Sequence, residues 1–405
     1  MAYLDATTFA GALKTLYPDW ALENMVFSNN IFLALIPKEE NFGGDYKKVP
    51  VIIGAPQNTS ADFSVAANSG SSLTTSSLIK AFLLSRARKY ALAEVSNETM
   101  LASQGNENAF MEAVKVEMDG AIRSISNQLG LDIFRDGSGV VGQLSATSGV
   151  TTSITFADPT QTLTLEVGTA LRFSTASDGT SLKTGTLSIT AINRNTGVAT
   201  LSASGATLTP VLAVNDYIYI SGNQAANVKG LDAWIPTVAP TSGDNFFSVD
   251  RSVDSRLYGA YLDKSSSPIE EALLDVDQTI YSSGGKASHI ITSPTQYNNL
   301  AKSLGSRIIY QQLNVGGVGF QSFEIQGQSG PIKVLADRSC AKNIAYVLQL
   351  DTWKMSSLGK MAQIYTGDGL SMLRSTTADS VRAQIAFYGQ ISTNAPGWNA
   401  KVLLG

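Results

Sequence analysis

The sequence predicts an α+β fold in which an all-β module interrupts a mixed body. Three observations predict it. Apolar residues recur at helical spacing from Phe110 to Ile133. A Thr-rich, turn-punctuated stretch from Thr147 to Gly222 carries only short alternating runs. The last third pairs a strand with a capped helix and then continues strand after strand to Leu404.

The helix is predicted over 106–135. Phe110, Val114, Met118, Ile122, Ile125, Leu129 and Ile133 fall three or four residues apart and make one apolar stripe. Glu112, Lys115, Asp119 and Arg123 lie off that stripe, and Asp136-Gly137 supplies the stop. At 1.5 Å per residue such a rod is about 45 Å long. One apolar face on so long a helix suits a spine laid across a sheet. The repeat does not persist far enough for a coiled coil.

Ahead of the helix, residues 1–45 read as an arm with short helical pieces. Phe9, Leu13 and Leu16 have helical spacing until Pro18 ends the pattern. A second apolar cluster, Ile31 to Ile36, precedes Pro37 and Gly43-Gly44. The arm either packs on the chain's own core or reaches a neighbour. Residues 46–95 read as a two-stranded excursion, outward from Tyr46 to Ile53 and back from Leu78 to Val95. Asn58 to Ser77 forms its tip, and half of that tip is Ser or Thr, too little apolar surface to order itself. An ordinary surface hairpin would carry the same signal.

After Gly142 the composition shifts. Of the 63 residues from Thr147 to Thr209, 17 are Thr, with few charges and no helical period. Runs such as Ser153–Phe156, Leu187–Ile189, Val198–Leu201 and Tyr217–Ile220 alternate, and Asp178-Gly179 and Asn195-Thr196-Gly197 supply turns. Strands at this spacing predict a small barrel or sandwich. Gly168–Phe173 and Asn215–Ile220 look like matching turn-and-strand halves of it.

The mixed pattern then returns. Ser267-Pro268-Ile269-Glu270 reads as a helix start with a capping Ser, and Ser293-Pro294-Thr295-Gln296 repeats the signal directly after the strand at His289. Ile269, Leu273, Val276 and Ile280 make the first helix's buried face, and Gly284-Gly285 ends it.

Composition and chemistry narrow the function. Charged residues make up 15%, well below the usual quarter, which fits a surface largely covered by other protein. A net charge of −4 argues against a strongly basic, groove-reading nucleic-acid binder. Cys340 is the single cysteine, so no intrachain disulfide forms and folding in a reducing cytoplasm is expected. No apolar run reaches about 18 residues, and Met1-Ala2-Tyr3-Leu4-Asp5 lacks a signal-peptide pattern, so a soluble protein made in the cytoplasm is expected. His289, the single histidine, abuts an apolar strand and reads as structural. One His and one Cys cannot build a zinc site of the usual kinds, and no motif supports a Cys340–His289 dyad. Gly284 to Ser288 lacks the leading Gly and the Lys-Ser/Thr pair of a phosphate loop, and Gly316 to Gly319 reads as a flexible loop, lacking dinucleotide spacing. No catalytic, cofactor-binding or metal-ligating residue is assigned, and no cofactor is implied. Arg86, Arg88 and Lys89, with Lys47 and Lys48 on the partner strand, form the densest basic run. Most such runs are solvated faces. In an assembly this one could pair with Glu39, Glu40 or the acidic side of the helix.

The closing segment, Arg382-Ala383-Gln384-Ile385-Ala386-Phe387-Tyr388-Gly389 ahead of Asn394-Ala395-Pro396-Gly397, completes an order of parts that covers nearly the whole chain. That order resembles tailed-phage major capsid proteins of the Hong Kong ninety-seven type. The resemblance rests on architecture more than on signature residues. It implies a phage major capsid fold with an N-arm (1–45), an extended β-hairpin loop (46–95) and a peripheral domain with a long spine helix (96–146, completed by about 376–405). An inserted all-β barrel-like domain (147–222) and an axial domain with returning peripheral strands (223–375) follow. It further implies a non-enzymatic subunit of a virion capsid that self-assembles as pentamers and hexamers. The resulting icosahedral shell encloses double-stranded DNA without sequence-specific binding and without a membrane. A separate scaffolding protein and a portal protein are the implied partners, since no long removable N-terminal segment precedes the arm. Covalent Lys–Asn cross-linking, known in the family, needs a Lys on the loop tip, and Asn58 to Ser77 has none. The competing readings are a β-rich surface decoration or adhesin displaying 147–222, a same-fold cellular nanocompartment, and a hydrolase with a β-insert. The long helix and capped α/β units argue against the adhesin, and the His and Cys counts argue against the hydrolase.

Overall fold

The computed structural model describes residues 30–54, 56, 60–64, 77–96, 98, 107–147, 151–305, 310–315, 318–361, 363–364, 373–375 and 378–405. The predicted helix around Phe9 to Leu16, most of the Ser/Thr tip, and Gly316-Gly317 of the predicted flexible loop lie outside them.

The cluster at Ile31 forms a short helix, α1 (Ile31–Leu35), which buries Phe32 and Leu33. It leads into β1 (Lys38–Glu39). The excursion follows as β2 (Lys47–Gly54) and β3 (Leu78–Leu84), paired antiparallel with Ile52 opposite Ile79. The return strand predicted to run unbroken to Val95 is in fact two strands. β4 (Ala87–Ser96) leaves the hairpin and joins a different sheet. Arg86 fixes the break: its guanidinium donates to the Phe42 carbonyl at 3.0 Å and lies 5.5 Å over the Phe42 ring.

The long helix, α2 (Glu107–Phe134), lies on β4 and carries the predicted stripe from Met118 on, the side chains of Phe110 and Val114 lying outside the described ones. Met118, Ile122, Ile125, Leu129 and Ile133 are buried, and Arg123 is exposed. The stop after it is tightly built. Gly137 and Gly139 both have left-handed backbone, at φ +90° and +88°. A Cβ on Gly139 would stand 2.1 Å from the Asn223 carbonyl oxygen, so only glycine lets the outgoing chain pass.

Next comes a closed barrel of six strands: β5 (Val140–Thr147), β6 (Ser153–Phe156), β7 (Ala170–Ser174), β8 (Leu187–Asn193), β9 (Val198–Leu201) and β10 (Tyr217–Ile220). The two matching segments seen in the sequence are neighbours in it, with Phe173 opposite Ile218. Phe156, Leu171, Phe173, Ile189, Leu201 and Ile218 fill its interior. The barrel begins at Val140, ahead of the composition shift. β5 lacks the Thr bias, but it pairs with both β10 and β6 and so closes the ring. Leu131 of α2 also belongs to this interior.

The remainder holds α3 (Leu231–Trp234), the small pair β11 (Asn245–Phe246) and β12 (Val249–Asp250), then β13 (Ala260–Lys264), α4 (Ile269–Ser282), β14 (His289–Thr292) and α5 (Pro294–Leu304). After them run β15 (Tyr310–Val315), β16 (Val318–Gly327), β17 (Gly330–Ala336) and β18 (Ile344–Leu348). The last strands are β19 (Trp353–Ser357), β20 (Gln363–Ile364), β21 (Leu373–Arg374), β22 (Ser380–Thr393) and β23 (Ala400–Leu404). A seven-stranded sheet in the order β13-β23-β18-β14-β17-β16-β15 carries α4 and α5. Leu273, Val276 and Ile280 of α4 pack there with Ile290, Val334 and Val402. Ser293 caps α5 as expected, its hydroxyl accepting from the Gln296 amide at 3.4 Å. Ser267 does not cap α4. Pro268 takes the cap position, and no side chain bonds there.

A six-stranded sheet gathers β1, β4, β19, β20 and β21 around the 14-residue β22. The sequence reading grouped everything after about 376 with the helix-bearing peripheral part. β22 pairs with β4, on which α2 lies, while β23 pairs with β13 and β18 in the seven-stranded sheet. Between the two sheets runs an aromatic core in which Phe32, Trp353, Trp234 and Phe246 touch in turn, at centroid separations of 5.8, 6.4 and 4.9 Å.

Candidate intersubunit surfaces

Strand alternation should put one face of each β-ribbon inward and the other toward solvent. On the β2–β3 hairpin the inward set is Val51, Ile53, Phe82 and Leu84. Phe82 meets Trp234 edge-on at 5.0 Å, and the Leu83 amide donates to the Phe247 carbonyl at 2.9 Å. The outward set is also apolar: Ile52 is 60% exposed and Ile79 56%. They stand opposite each other and form a paired apolar patch, exposed on the outer face of the ribbon. Pro50, opposite Ala81, deprives one ribbon edge of a donor and so discourages indiscriminate strand addition.

β4 shows the same pattern. Ala87, Lys89, Ala93 and Val95 face inward. Arg88, Tyr90, Leu92 and Glu94 face out, with Tyr90 57% and Leu92 55% exposed. Small alanines on the inner face let α2 lie close, which leaves the large side chains outside. Tyr90 packs edge-on against Tyr388 of β22 at 5.8 Å, and Arg382 reaches Glu94 at 3.1 Å. This sheet face borders a polar cleft of about 540 Å³ between α2, β4 and the barrel, lined among others by Arg123, Gln128, Thr164, Glu166 and Asn223.

The basic run does not present a single positive face. Lys89 is buried against Asp132 of α2, with Nζ and Oδ2 2.9 Å apart. Lys47 ion-pairs with the Glu39 carboxylate and donates to Asn41 and Ser356, each at 2.9 Å. Lys354 reaches the other Glu39 oxygen at 2.8 Å, and the two lysines hold that carboxyl below its ordinary range, Lys354 more strongly. Arg88 remains exposed. The intrachain partners of Lys47 and Lys89 take up two of the five positive charges in the run, and Lys48 is exposed along with Arg88.

His289 and Cys340 stand apart. His289 pairs with Leu348 across β18, while Thr292 at the far end of β14 pairs with Ala345. The Cys340 thiol, before β18, donates to the Ile344 carbonyl at 3.4 Å. At about 3.3 Å per strand residue the two side chains are roughly 10 Å or more apart, beyond dyad range. The His289 Nδ1 meets the Ser288 hydroxyl at 3.0 Å. Burial first, then Lys333 opposite it, push its pKa down to about 4, so the ring is neutral. Burial raises the Cys340 thiol well above its usual value. Among the described residues no group of His, Cys, Asp and Glu could hold a metal ion, and no helix is long and apolar enough to cross a membrane.

Two ion pairs built on buried lysines were not legible in the sequence. In the barrel, Lys183 meets Asp216 at 3.0 Å and donates to the Val211 carbonyl at 2.8 Å. In the body, Lys401 meets Asp232 at 2.7 Å. Their partners are distant in sequence, so no local spacing signals them.

Residues 214–391 match the family model described as SU10 major capsid protein. Among solved structures, the capsid asymmetric unit of cyanophage A-1(L) aligns with 93% of this chain and 92% of its own, at 11% identity and a TM-score of 0.50. A protein of Gordonia phage Cozz aligns over 93% of this chain and 87% of its own, at 12% identity and a TM-score of 0.44. No curated protein matches the sequence. The fold is that of phage capsid proteins, α+β with a barrel inserted after the spine helix. With the family match, it marks the chain as a structural, shell-forming capsid protein rather than an enzyme.

Proposed function

We propose that this capsid-fold chain assembles as pentamers and hexamers into an icosahedral shell around double-stranded DNA. The observation that carries this reading is the apolar outward face of the hairpin. Ile52 and Ile79 stand on a two-stranded ribbon that cannot bury them itself. Covering each such side chain in a neighbour's surface is worth about 1.5–3 kcal/mol, and the contact repeats at every subunit. Tyr90, Leu92 and Tyr388 on the β4–β22 face offer a second apolar surface of the same kind. The division of labour follows the sequence reading. The arm and loop reach neighbours, the α2-bearing sheet forms the shell's periphery, the seven-stranded sheet the axial part, and the barrel an added surface. The low charge and net −4 fit a wall that contains DNA without gripping it. A separate scaffolding protein would set the curvature, a portal protein would occupy one vertex, and synthesis would take place in the host cytoplasm.

Negative-stain microscopy of the purified protein, alone and co-expressed with its genomic neighbours, tests the proposal. Capsomers or closed shells are expected. Monomers in both preparations, from protein that melts cooperatively, would overturn it. Ile52→Lys with Ile79→Lys should leave the subunit folded and abolish the assemblies.

A further inference from the structure

A two-residue turn, Phe247-Ser248, joins β11 to β12, and both of its residues have left-handed backbone, at φ +47° and +65°. A turn this short matches the twist of its strands when both central residues take positive φ, and Asn-Gly is the pair that does so with least strain. Phe and Ser each carry a Cβ that crowds the carbonyl in that region, and a bulky residue there is rare. The small ribbon cannot impose the shape alone. It has two residue pairs, Asn245 with Asp250 and Phe246 with Val249, and even longer isolated ribbons are marginal in water. Such a turn persists where its surroundings over-determine it.

The surroundings are the β2–β3 hairpin and the core beneath it. The Phe247 ring is buried, 4.5 Å from the Phe246 ring and 5.9 Å from Trp234, with the Lys229 ammonium 4.6 Å above it. Phe82 of β3 packs edge-on against both Trp234 and Phe246, at 5.0 and 6.1 Å. The Phe247 carbonyl accepts from the Leu83 amide at 2.9 Å, so that amide bonds out of the hairpin to the body. On the other strand, the Arg256 guanidinium, held by Asp254 at 2.7 Å, donates to the Ile53 carbonyl. The segment from Phe246 to Arg256 thus grips each strand of the hairpin. Ser248 takes no part in this packing: its side chain is exposed, and only its backbone shape matters to the grip.

We propose that the Phe247-Ser248 turn is a sprung clamp that sets the angle of the β2–β3 hairpin on its own subunit. Docking of Phe82 and Leu83 holds the turn left-handed. When the hairpin lifts, the Leu83 bond breaks and the turn relaxes. Strain at 248 therefore opposes docking and leaves the hairpin a grip weak enough to release. The contact lies within one chain, so the clamp stands or falls independently of whether copies form a shell.

Hydrogen exchange on the full-length protein, resolved to single amides, tests this. The Leu83 amide reports the clamp, while amides of β22 and of the barrel report the rest of the fold. In Ser248→Gly, which accepts positive φ freely, Leu83 should exchange severalfold more slowly. In Ser248→Val, whose branched side chain resists positive φ, it should exchange severalfold faster. Amides of β22 and the barrel should keep their rates in both variants. Trypsin cleavage at Lys80, exposed on β3, should follow the same order. Leu83 rates unchanged in both variants would overturn the proposal. So would rates that move only in step with β22 and the barrel, since the turn would then serve global stability alone. Should Ser248→Val fail to fold, the slowing in Ser248→Gly decides by itself.

Discussion

Lys89 shows how a single residue can reverse the reading of a motif. It stands in a basic run that resembles a solvated face, yet it is 5% exposed and pairs with Asp132. Burial pushes the Asp132 carboxyl up to about 6 in spite of the lysine beside it. Removing one partner of such a pair strands the other, so Lys89→Met should cost roughly 3–5 kcal/mol. Adding Asp132→Leu should recover most of that loss, and urea denaturation of the single and double variants checks both. Asp337 is a second buried carboxyl with a pKa pushed up to about 6, by burial set against bonds from the Ser339 and Ile31 amides. The sign follows from linkage. A folded pKa above the unfolded one contributes stability below the ordinary carboxylate range and loses it as pH rises through about 6. His289 works the other way: depressed to about 4, it contributes stability above its ordinary 6.5 and loses it as pH falls. Comparing Tm at pH 7.5 and 5, Asp337→Asn should remove part of any gain on acidification, and His289→Gln should enlarge it. The parity that places Lys89 inside was present in the sequence. It was obscured because Tyr90 and Leu92, the apolar residues of β4, point outward, while small alanines meet the helix.

At the level of elements, α2 was the most legible part, because a stripe seven residues deep has one helical solution. Ile122 lies at its centre and is 3% exposed. Ile122→Asp would exceed the roughly 2–5 kcal/mol of a truncation, since it also buries an unpaired charge. Against a total of about 5–15 kcal/mol the variant should misfold. A soluble variant with a normal melt would contradict the packing of α2. The barrel was legible as a class but not at its edge. Composition placed its start at Thr147, whereas closure needs β5 from Val140. A fragment of residues 138–223 should therefore give a β-rich circular dichroism spectrum and a cooperative melt. A fragment of 147–222 has no strand to bridge β10 and β6 and should not. The split between β3 and β4 left no local mark either, because both halves favour strand and the break is made by Arg86 reaching Phe42.

On the scale of the whole molecule, sheet membership was what the sequence concealed. β23 and β22 are separated by a single turn of chain yet lie in different sheets. β1 pairs parallel with β19, some three hundred residues later in the chain. Such pairings depend on what reaches each edge in space, and no short window of sequence records that. The Ser/Thr tip belongs to this scale too. With so little apolar surface it should be cut readily by protease in free subunits and poorly in assembled shells. Equal cleavage in both would mean that it makes no contact with a neighbour. The helix α2 gives the body Met118, Ile122, Ile125, Leu129 and Ile133, and gives the barrel Leu131. Two hydrophobic interiors thus share one shaft, and Gly139 locks the joint against Asn223. Mechanically, the barrel is no pendant on a slack tether. A torque applied to the barrel would travel down the shaft into the sheet beneath, so a load on one interior is borne by the other.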